Sequence, residues 1–355
     1  MIETYFLYTT ILILAASSAY AAQHSKDAIQ MIFARIFCFL CLFIPAALRY
    51  GIGRDYFSYY RIYENNFPAH MQRLEPGFVF IGNLSHWIGL SPHMFIAAIS
   101  GITYALVCFC MPKKHFFVII MFFILSFAYL DSYNIARQSL AMSVLLCGLF
   151  LFYGNRKITG FFLFVIASLI HYACLVTVPI LIISQIKVNM YFRICLIIAF
   201  VLIGINESFL LWLVDIAASI NPRNRALFYA IKTTQLNFGI TYIIFSLPVI
   251  LMLLNAKKIL QQPNGNFILN LNTAFLSVII MAYFVAIIGR FVNLLFFIPL
   301  FSMQILYNAN KKYAKLYHIF LVFCFSAIFF RYIEYHSIDT TGFGISPYDS
   351  IFGGK

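Results

Sequence analysis

The chain has 355 residues, of which 63% are hydrophobic and 10% charged, and its formal net charge at pH 7 is +13. Together with a mean hydropathy of +0.90, this composition excludes a soluble globular domain. Repeated apolar stretches of about 18 residues or more predict an all-α polytopic membrane protein. In such a protein the positive charge indicates a positive-inside bias, and contact with anionic membrane lipids, rather than binding of nucleic acid.

The chain is predicted to form a single integral membrane domain over residues 1–355, with about ten to twelve transmembrane helices. The spans are predicted at residues 5–22, 29–48, 93–111, 115–131, 137–153, 191–206, 239–255, 267–288, 291–309 and 316–333. The first apolar stretch has no basic residue before it and no clear small-x-small cleavage site, which favours a retained helix over a cleaved signal peptide.

The longest early polar interval is the loop at residues 49–77, and it is rich in groups that bind ligands. Counted from Leu48, it holds four arginines, three carboxylates and five tyrosines, more than a simple connection between two membrane helices needs. We therefore expect it to form one wall of an active site at the outer face of a membrane. Residues 78–90 follow it and are too short to span comfortably, so they predict an interfacial helix.

Three further segments complete the organisation. Residues 159–186 are long for one crossing and short for two, and His171 lies in their middle. They predict a pair of half-helices that turn at His171 and return to their starting side. Residues 207–238 predict a second large outer loop, and residues 335–355 form a tail.

Lysines and arginines fall mostly on opposite sides of the membrane in the predicted topology. Placing the lysine-rich turns in the cytoplasm puts ten of the twelve lysines there. Nine arginines then face outward: Arg49, Arg54, Arg61, Arg73, Arg137, Arg223, Arg225, Arg290 and Arg331. Because the planar guanidinium suits phosphate oxygens, this division indicates an outward-facing anionic ligand.

Three of these arginines stand at predicted helix ends. Arg137 opens a helix directly after a polar step that contains Asp131, so it either snorkels beside Asp131 or binds a ligand. Arg290 lies between two apolar runs joined by almost no loop, which favours a functional role. Arg49 follows the second span, where interfacial anchoring and ligand binding explain it equally well.

The candidate proton acceptors are His171, Asp55 and Glu75. His171 is the only ionisable group in a long apolar stretch, and it is either a hydrogen-bonded core residue or a group that moves a proton. Asp55 and Glu75 are candidate bases, or they pair with neighbouring arginines of the loop. The loop tyrosines Tyr56, Tyr59, Tyr60 and Tyr63 are candidates for stacking on sugar rings or for an interfacial aromatic belt.

The sequence contains no metal-binding, redox or nucleotide-binding motif with the neighbouring residues that such a site needs. Cys38 and Cys41 have CxxC spacing but lie inside a predicted membrane helix without an accompanying His or Cys cluster. They are therefore interpreted as structural cysteines. The sequence predicts no metal and no cofactor, and it contains no soluble domain that could bind a sugar nucleotide.

Several short motifs, in order along nearly the whole chain, resemble those of the EpsG family. They are Arg49-x-x-x-Gly53-x-Asp55-x-x-x-Tyr59, Glu75-Pro-Gly77-Phe78, Asn134-Ile-Ala-Arg137-Gln138-Ser-Leu-Ala, Ala167-Ser-Leu-Ile-His171-Tyr-Ala, Gly289-Arg290-Phe and Pro347-Tyr348-Asp-Ser-Ile-Phe352. The loop between Tyr59 and Glu75 carries local features, such as Asn65-Asn66-Phe67-Pro68, that depart from the family pattern. Substrate choice is expected in such regions.

The resemblance implies a GT-C-like, metal-independent glycosyltransferase of the Wzy type in the bacterial inner membrane. Such an enzyme polymerises undecaprenyl-diphosphate-linked oligosaccharide repeat units into O-antigen or exopolysaccharide at the periplasmic face. Undecaprenyl diphosphate is the leaving group, inversion at the anomeric carbon is expected, and a chain-length-regulating co-polymerase is compatible with it.

The same resemblance, combined with the chemistry of the residues, suggests roles for individual positions. The predicted catalytic residues are His171, Asp55, Arg137 and Arg290. The predicted residues that bind diphosphate or glycan are Arg49, Arg54, Tyr59, Glu75, Gln138, Arg223 and Tyr348.

Three other functions use similar parts. An O-antigen ligase discharges the same lipid diphosphate onto a different acceptor. A flippase or transporter of lipid-linked saccharide also needs an arginine-lined cavity, but a transporter is expected to show internal repeats, and the sequence shows none. A membrane acyltransferase has only His171 in its favour.

The predicted topology places Arg61 outside and Lys257 in the cytoplasm. Single cysteines introduced at these two positions are expected to react with a membrane-impermeant thiol reagent from opposite sides of the membrane. Labelling of both cysteines from the same side contradicts the predicted arrangement of the spans.

Overall fold

The computed structural model describes residues 2–64, 74–220, 239–285, 288–337 and 344–353. Over these ranges the regular elements are helices, accompanied by two isolated β-bridges, which confirms the predicted all-α class. The chain divides into two compact units, of which the first comprises Met1–Val178 and Val322–Lys355 and the second Pro179–Leu321. Each unit is described by itself.

The first unit contains most of the early helices. They are α1 (Ile2–His24), α2 (Ala28–Leu48), α3 (Tyr56–Glu64), α4 (Pro76–Trp87), α5 (Pro92–Phe109), α6 (Phe116–Leu125), α7 (Ala128–Asp131), α8 (Ala136–Tyr153) and α9 (Lys157–Ile170). A 3-10 turn at Tyr172–Val176 leads into α10 (Thr177–Ile183). Asp27 caps α2 through its side chain, and Ser91 caps α5 in the same way, as these residue types favour.

The remaining helices begin in the second unit. They are α11 (Met190–Ile205), α12 (Glu207–Ile220), α13 (Ile240–Leu254), α14 (Ala256–Leu260), α15 (Gly265–Phe284), α16 (Gly289–Leu295), α17 (Phe297–Ala309) and α18 (Lys311–Tyr335). The last helix continues into the first unit, where its C-terminal part packs against α6 through Phe325 and Phe122.

Six helices in the described residues are long and apolar enough to cross a membrane, or up to eight if two bent pairs each form one span. The polytopic class is therefore confirmed, although this count is lower than the ten to twelve spans predicted. The predicted span at residues 115–131 shows one reason. Its helix ends at Leu125, Phe127 adopts a left-handed backbone with φ 54°, and ten residues of helix rise only about 15 Å.

Helix α6 forms the core of the first unit rather than a lipid-facing span. Every residue from Phe116 to Leu125 is buried, apart from the half-buried Phe117. The left-handed turn after it redirects the chain so that Asp131 accepts a hydrogen bond from the Tyr332 hydroxyl at 2.8 Å. Asn134 donates to the same hydroxyl at 2.9 Å. The polar step that follows α6 is thus tied to α18, and a continuous helix would not allow this.

Helices α8 and α9 form an antiparallel hairpin in which Arg137 and His171 are equally far in sequence from the turn. Gly154 lies 17 residues after Arg137 and 17 residues before His171, so the two functional candidates reach the same end of the hairpin. Small residues allow the close approach, since a Cβ atom on Gly160 would lie 2.7 Å from the carbonyl oxygen of Gly148. The turn itself uses Asn155 in the left-handed region.

The break predicted at His171 is present. Helix α9 ends at Ile170, and His171 has an extended backbone with φ −149° and ψ 113° before the 3-10 turn begins. Helix α4 approaches this break closely, because a Cβ atom on Gly77 would meet the backbone of Leu169 at 2.9 Å. Pro76 stands in the first turn of α4, where the missing N–H of proline costs nothing.

Two predicted segments differ in extent from the helices observed. The segment predicted as an interfacial helix at residues 78–90 is helical over Pro76–Trp87, as α4, and its position at the membrane interface stays a prediction. The interval at residues 207–238 is not a loop throughout, because Glu207–Ile220 is helical and turns by 88° from α11. The apolar run at residues 209–213 favours a helix over an extended polar loop, and Leu210 is buried on it while Trp212 is exposed. Residues 221–238 lie outside the described ranges.

The first polar loop depends on Gly53 for its close packing. Gly53 has φ +101°, and a Cβ atom there would lie 2.0 Å from the carbonyl oxygen of Tyr133. Its amide donates to the carbonyl of Gly344 at 3.2 Å. The following amide, of Arg54, donates to the Asn134 side chain at 2.9 Å. The loop is thereby anchored on the start of α8.

Gly53→Ala is expected to destabilise the protein by about 3 kcal/mol or more, because a strained φ is combined with a backbone clash. Gly89→Ala is the matched control, since Gly89 also has a positive φ but nothing lies within 4 Å of its added Cβ. Thermal unfolding in detergent measures both variants. Equal losses of stability would contradict the packing described for Gly53.

Candidate functional site

The centre of the site is the buried carboxylate of Glu75, which immediately precedes α4. Its side chain is 7% exposed, and it accepts from three donors on two other segments. Arg137 Nη1 donates to Oε2 at 2.6 Å, His171 Nδ1 lies 3.0 Å from Oε1, and the Tyr172 amide donates to Oε1 at 3.3 Å. One carboxylate therefore links the start of α4, the start of α8 and the break after α9.

These contacts keep Glu75 ionised. Burial by itself raises the pKa of the carboxyl. The hydrogen bond from His171, the positive charge of Arg137 and the backbone amides outweigh this effect and lower the pKa to about 2. The net effect is a pKa well below the ordinary value of 4.5. At neutral pH the Glu75 side chain is therefore a hydrogen-bond acceptor and not a proton donor.

The ionised state of Glu75 determines the orientation and tautomer of His171. A carboxylate only accepts hydrogen bonds, so Nδ1 of His171 carries a proton and donates it to Oε1. In the neutral ring this leaves Nε2 with its lone pair as the basic nitrogen. The imidazole remains 22% exposed, so the ring is held by a buried partner while part of it stays accessible.

Arg137 is held on one side and accessible on another. Besides the ion pair with Glu75, its Nε lies 3.4 Å from the Tyr59 hydroxyl. Its guanidinium carbon lies 5.4 Å from the centroid of the Phe78 ring and 5.9 Å from that of Tyr59. The side chain is 26% exposed. Aromatic contacts and an ion pair thus orient a guanidinium that still reaches the surface of the site.

Two expectations about partners change as a result. Arg137 pairs with Glu75 rather than snorkelling beside Asp131. Glu75 pairs with Arg137 and His171 rather than with an arginine of its own loop, as far as the described residues extend, and Arg73 lies outside them. The sequence did contain one signal that Arg137 and His171 lie close together, namely their equal distance in sequence from Gly154 in the α8–α9 turn.

Arg49 lies in a second, more buried environment. It is 1% exposed, its Nη1 lies 3.4 Å from the Ser100 hydroxyl, and its guanidinium carbon lies 4.5 Å from the centroid of the Tyr133 ring. Its Nε has no hydrogen-bond partner among the described residues. Arg49 is therefore not an interfacial anchor that extends to the surface, and its expected role in ligand binding stays a prediction.

Tyr348 and the C-terminal segment hold the end of α2. The Tyr348 hydroxyl donates to the Pro45 carbonyl at 2.8 Å, and the Tyr348 amide donates to the Thr4 side chain at 2.9 Å. Ser350 forms a β-bridge with Arg49. These contacts give the Tyr348 hydroxyl a structural use, and its predicted contact with substrate stays a prediction.

Other predicted positions surround the Glu75 site or stand in the first loop. Asp55 is close enough to Tyr59 and Arg137 to interact with them electrostatically. Gln138 is buried, with 8% of its surface exposed, and it follows Arg137 on α8. The side chain of Arg54 is exposed.

The loop tyrosines face the protein core more than the sequence suggested. Tyr56, Tyr59 and Tyr63 are at most 5% exposed. The Tyr56 hydroxyl lies 2.9 Å from Nδ1 of His93, and the Tyr63 hydroxyl donates to the Leu90 carbonyl at 2.8 Å. Helix α3 packs these three rings inward, and their predicted stacking on sugar rings stays a prediction.

Two predicted residues belong to the second unit. Arg290 is exposed on the first turn of α16, in contrast to the restricted setting that the almost loop-free sequence suggested. Gly289 beside it lies against Tyr242, whose hydroxyl would be 2.1 Å from an added Cβ atom. Arg223 lies outside the described residues.

Among the described residues, no group of three or more His, Cys, Asp or Glu side chains is arranged to hold a metal ion. The site offers a partly exposed guanidinium and an oriented imidazole, both bonded to Glu75. This pair can bind an anionic group and accept a proton from a neighbouring hydroxyl.

Comparison with known proteins gives one result. The model of a protein family described as "EpsG family" matches residues 31–350, which is nearly the whole chain and includes every residue of the site. No curated protein and no solved structure matches the chain.

Glu75→Gln is expected to lower the free energy of unfolding at pH 7 by about 3 kcal/mol, the cost typical of breaking a buried ion pair from one side. Because the folded pKa is depressed from 4.5 to about 2, this contribution is present above pH 4.5 and is lost as the pH falls toward 2. Thermal unfolding of wild type and variant between pH 7 and pH 3 should therefore converge. Glu64→Gln, at an exposed carboxylate of α3, is the control, and parallel pH curves for wild type and Glu75→Gln would contradict the assignment.

Proposed function

Because the chain belongs to the EpsG family, we propose that it polymerises undecaprenyl-diphosphate-linked oligosaccharide repeat units into O-antigen or exopolysaccharide. Family membership indicates a polysaccharide polymerase role, and the membrane-spanning helices fit a lipid-linked substrate. The observation that carries the proposal is the Arg137–Glu75–His171 arrangement, in which a cation and a basic nitrogen are held side by side. The proposal includes a GT-C-like enzyme in the bacterial inner membrane with its site facing the periplasm.

The proposed reaction is a direct displacement at the anomeric carbon of the donor glycan. Nε2 of His171 accepts the proton of the acceptor hydroxyl, and the hydroxyl oxygen bonds to the anomeric carbon. The bond from that carbon to the diphosphate breaks, and undecaprenyl diphosphate leaves with the electron pair. Direct displacement predicts inversion of configuration at this carbon.

Arg137 is proposed to stabilise the charge that develops on the leaving diphosphate. Its contacts with Phe78 and Tyr59 fix its direction before substrate arrives, so little reorganisation is needed during the reaction. Glu75 is a positioning residue in this scheme, because it acts through His171 and Arg137. Arg49, Arg54, Gln138, Arg223 and Arg290 are proposed further contacts to diphosphate or glycan, while Asp55 is the alternative base.

Arg137→Ala and Arg290→Ala are expected to abolish chain elongation in cells when the variants are compared with wild type at equal protein level, since Arg137→Ala also breaks the buried ion pair with Glu75. Loss of one preorganised donor to a developing anion typically costs about 10²–10³ in rate. Arg61→Ala is the matched control, because Arg61 is exposed on α3. The glycan ladder on gels and immunoblots of the protein measure both effects. Long polysaccharide in cells carrying either variant contradicts the diphosphate assignment for that arginine.

His171→Gln is expected to reduce polymer formation from purified lipid-linked repeat units by about 10²–10⁴, the usual range for loss of a general base. The pH profile of the wild-type rate should differ in shape from the pH profile of the variant's residual rate. An unchanged pH profile in His171→Gln would assign the proton transfer to another group, with Asp55→Asn as the next variant.

The glycan ladder of a deletion strain separates the proposed polymerase from its rivals. Loss of a polymerase leaves single repeat units attached to the lipid A core. Loss of a ligase leaves the core bare with polymer still on undecaprenyl diphosphate, and loss of a flippase leaves unpolymerised precursor on the cytoplasmic side. Either of the last two outcomes overturns the proposed function.

A further inference from the structure

A surface groove that the proposed reaction does not use opens on the first unit between α1, α6 and α18. Its volume is about 430 Å³. It extends along α1 from Leu12 to Tyr20, eight residues that rise about 12 Å, and Ala16 and Ser17 provide a narrow floor between them. Ser326 from α18 and Phe117 from α6 line the facing walls. The groove therefore runs for about 12 Å along α1 and is lined largely by apolar side chains, which suits part of a hydrocarbon chain better than a sugar.

The groove lies at the opposite end of α1 from the segment near Arg49. Thr4 and Tyr8, at the start of α1, hold the C-terminal segment through hydrogen bonds to Tyr348 and Ile345. The groove instead approaches the last turns of α1, where Tyr20 packs edge-on against Phe117 at 5.5 Å between ring centroids. A chain in this groove would be distinct from the Arg137–Glu75–His171 site.

A basic rim adjoins the Tyr20 end of the groove. The Lys113 ammonium donates to the carbonyl of Ser25, and the amide of Phe117 donates to the Gln23 side chain at 2.9 Å. These bonds bring the turn before α6 onto the turn after α1. Ser25 follows Tyr20 by five residues, which corresponds to about 7 Å along the helix axis.

The rim carries more positive than negative charge. Lys26, Lys113 and Lys114 are all exposed. The acidic residue of the same turn, Asp27, is engaged as the cap of α2, where its carboxylate accepts from the Gln30 amide at 3.0 Å. Basic pockets at the ends of membrane helices attract anionic headgroups, and a single ammonium is sufficient to bind a phosphate as a point charge.

We propose that this groove binds one acyl chain of an anionic glycerophospholipid, with its phosphate held by Lys26, Lys113 and Lys114. The apolar walls accept the chain, and the lysines stand in the two turns next to the groove's Tyr20 end. The charge of the rim selects an anionic over a zwitterionic lipid. The site is independent of the proposed polymerase reaction, because it shares no residue with it.

Native mass spectrometry of the delipidated full-length protein tests the proposal. The probes are phosphatidylglycerol and phosphatidylcholine with identical acyl chains. Wild type is expected to retain phosphatidylglycerol more tightly, and Lys114→Gln or Lys26→Gln should weaken this binding about fivefold each while leaving phosphatidylcholine unchanged. Ser17→Phe, which fills the groove, should weaken both lipids.

The control is Lys157→Gln, at an exposed lysine at the start of α9, and it should bind phosphatidylglycerol as wild type does. Circular dichroism and gel filtration establish that each variant is folded. Equal binding of the two phospholipids, or unchanged binding in Ser17→Phe, overturns the proposal. Tighter binding of a polyprenyl phosphate than of phosphatidylglycerol, reduced by Ser17→Phe, also overturns it and assigns the groove to the lipid of the substrate.

Discussion

The structure of the candidate site depends on one buried carboxylate with three donors. Desolvation of Glu75 is costly, and only the combination of His171, Arg137 and the Tyr172 amide makes an ionised side chain favourable in that position. The same bonds determine which nitrogen of His171 carries the proton and where the guanidinium of Arg137 lies. The orientation of Arg137, the charge of Glu75 and the tautomer of His171 therefore have a single physical origin.

The surrounding fold is arranged so that these groups can meet. The α8–α9 hairpin brings Arg137 and His171 to one end, and the absence of a side chain at Gly77 lets α4 approach the backbone of Leu169. Phe78 follows immediately and lies against the guanidinium. Rigid helices thus support the site from three directions, which is the arrangement that reduces reorganisation during a reaction.

Sequence patterns predicted the parts of this arrangement that depend on local chemistry. Hydropathy located α1, α2, α5 and α8, and the single ionisable residue in an apolar stretch located the break at His171. Contacts between residues that are far apart in the sequence could not be predicted in the same way. Arg137 has Asp131 nearby in sequence, yet it pairs with Glu75, 62 residues away. Phe127 adopts a left-handed backbone that a phenylalanine disfavours, and the reason lies in contacts with α18, so no local pattern predicted the early end of α6.

The hydrogen bond from His171 to Glu75 can be observed by nitrogen NMR of histidine-labelled protein. The spectrum of the His171→Gln variant identifies the two ring signals of His171 among those of the eight histidines. In the neutral ring we expect a protonated Nδ1 and an unprotonated Nε2, with loss of this preference in Glu75→Gln. A wild-type His171 that carries its proton on Nε2 would rule out a hydrogen bond from Nδ1 to Glu75.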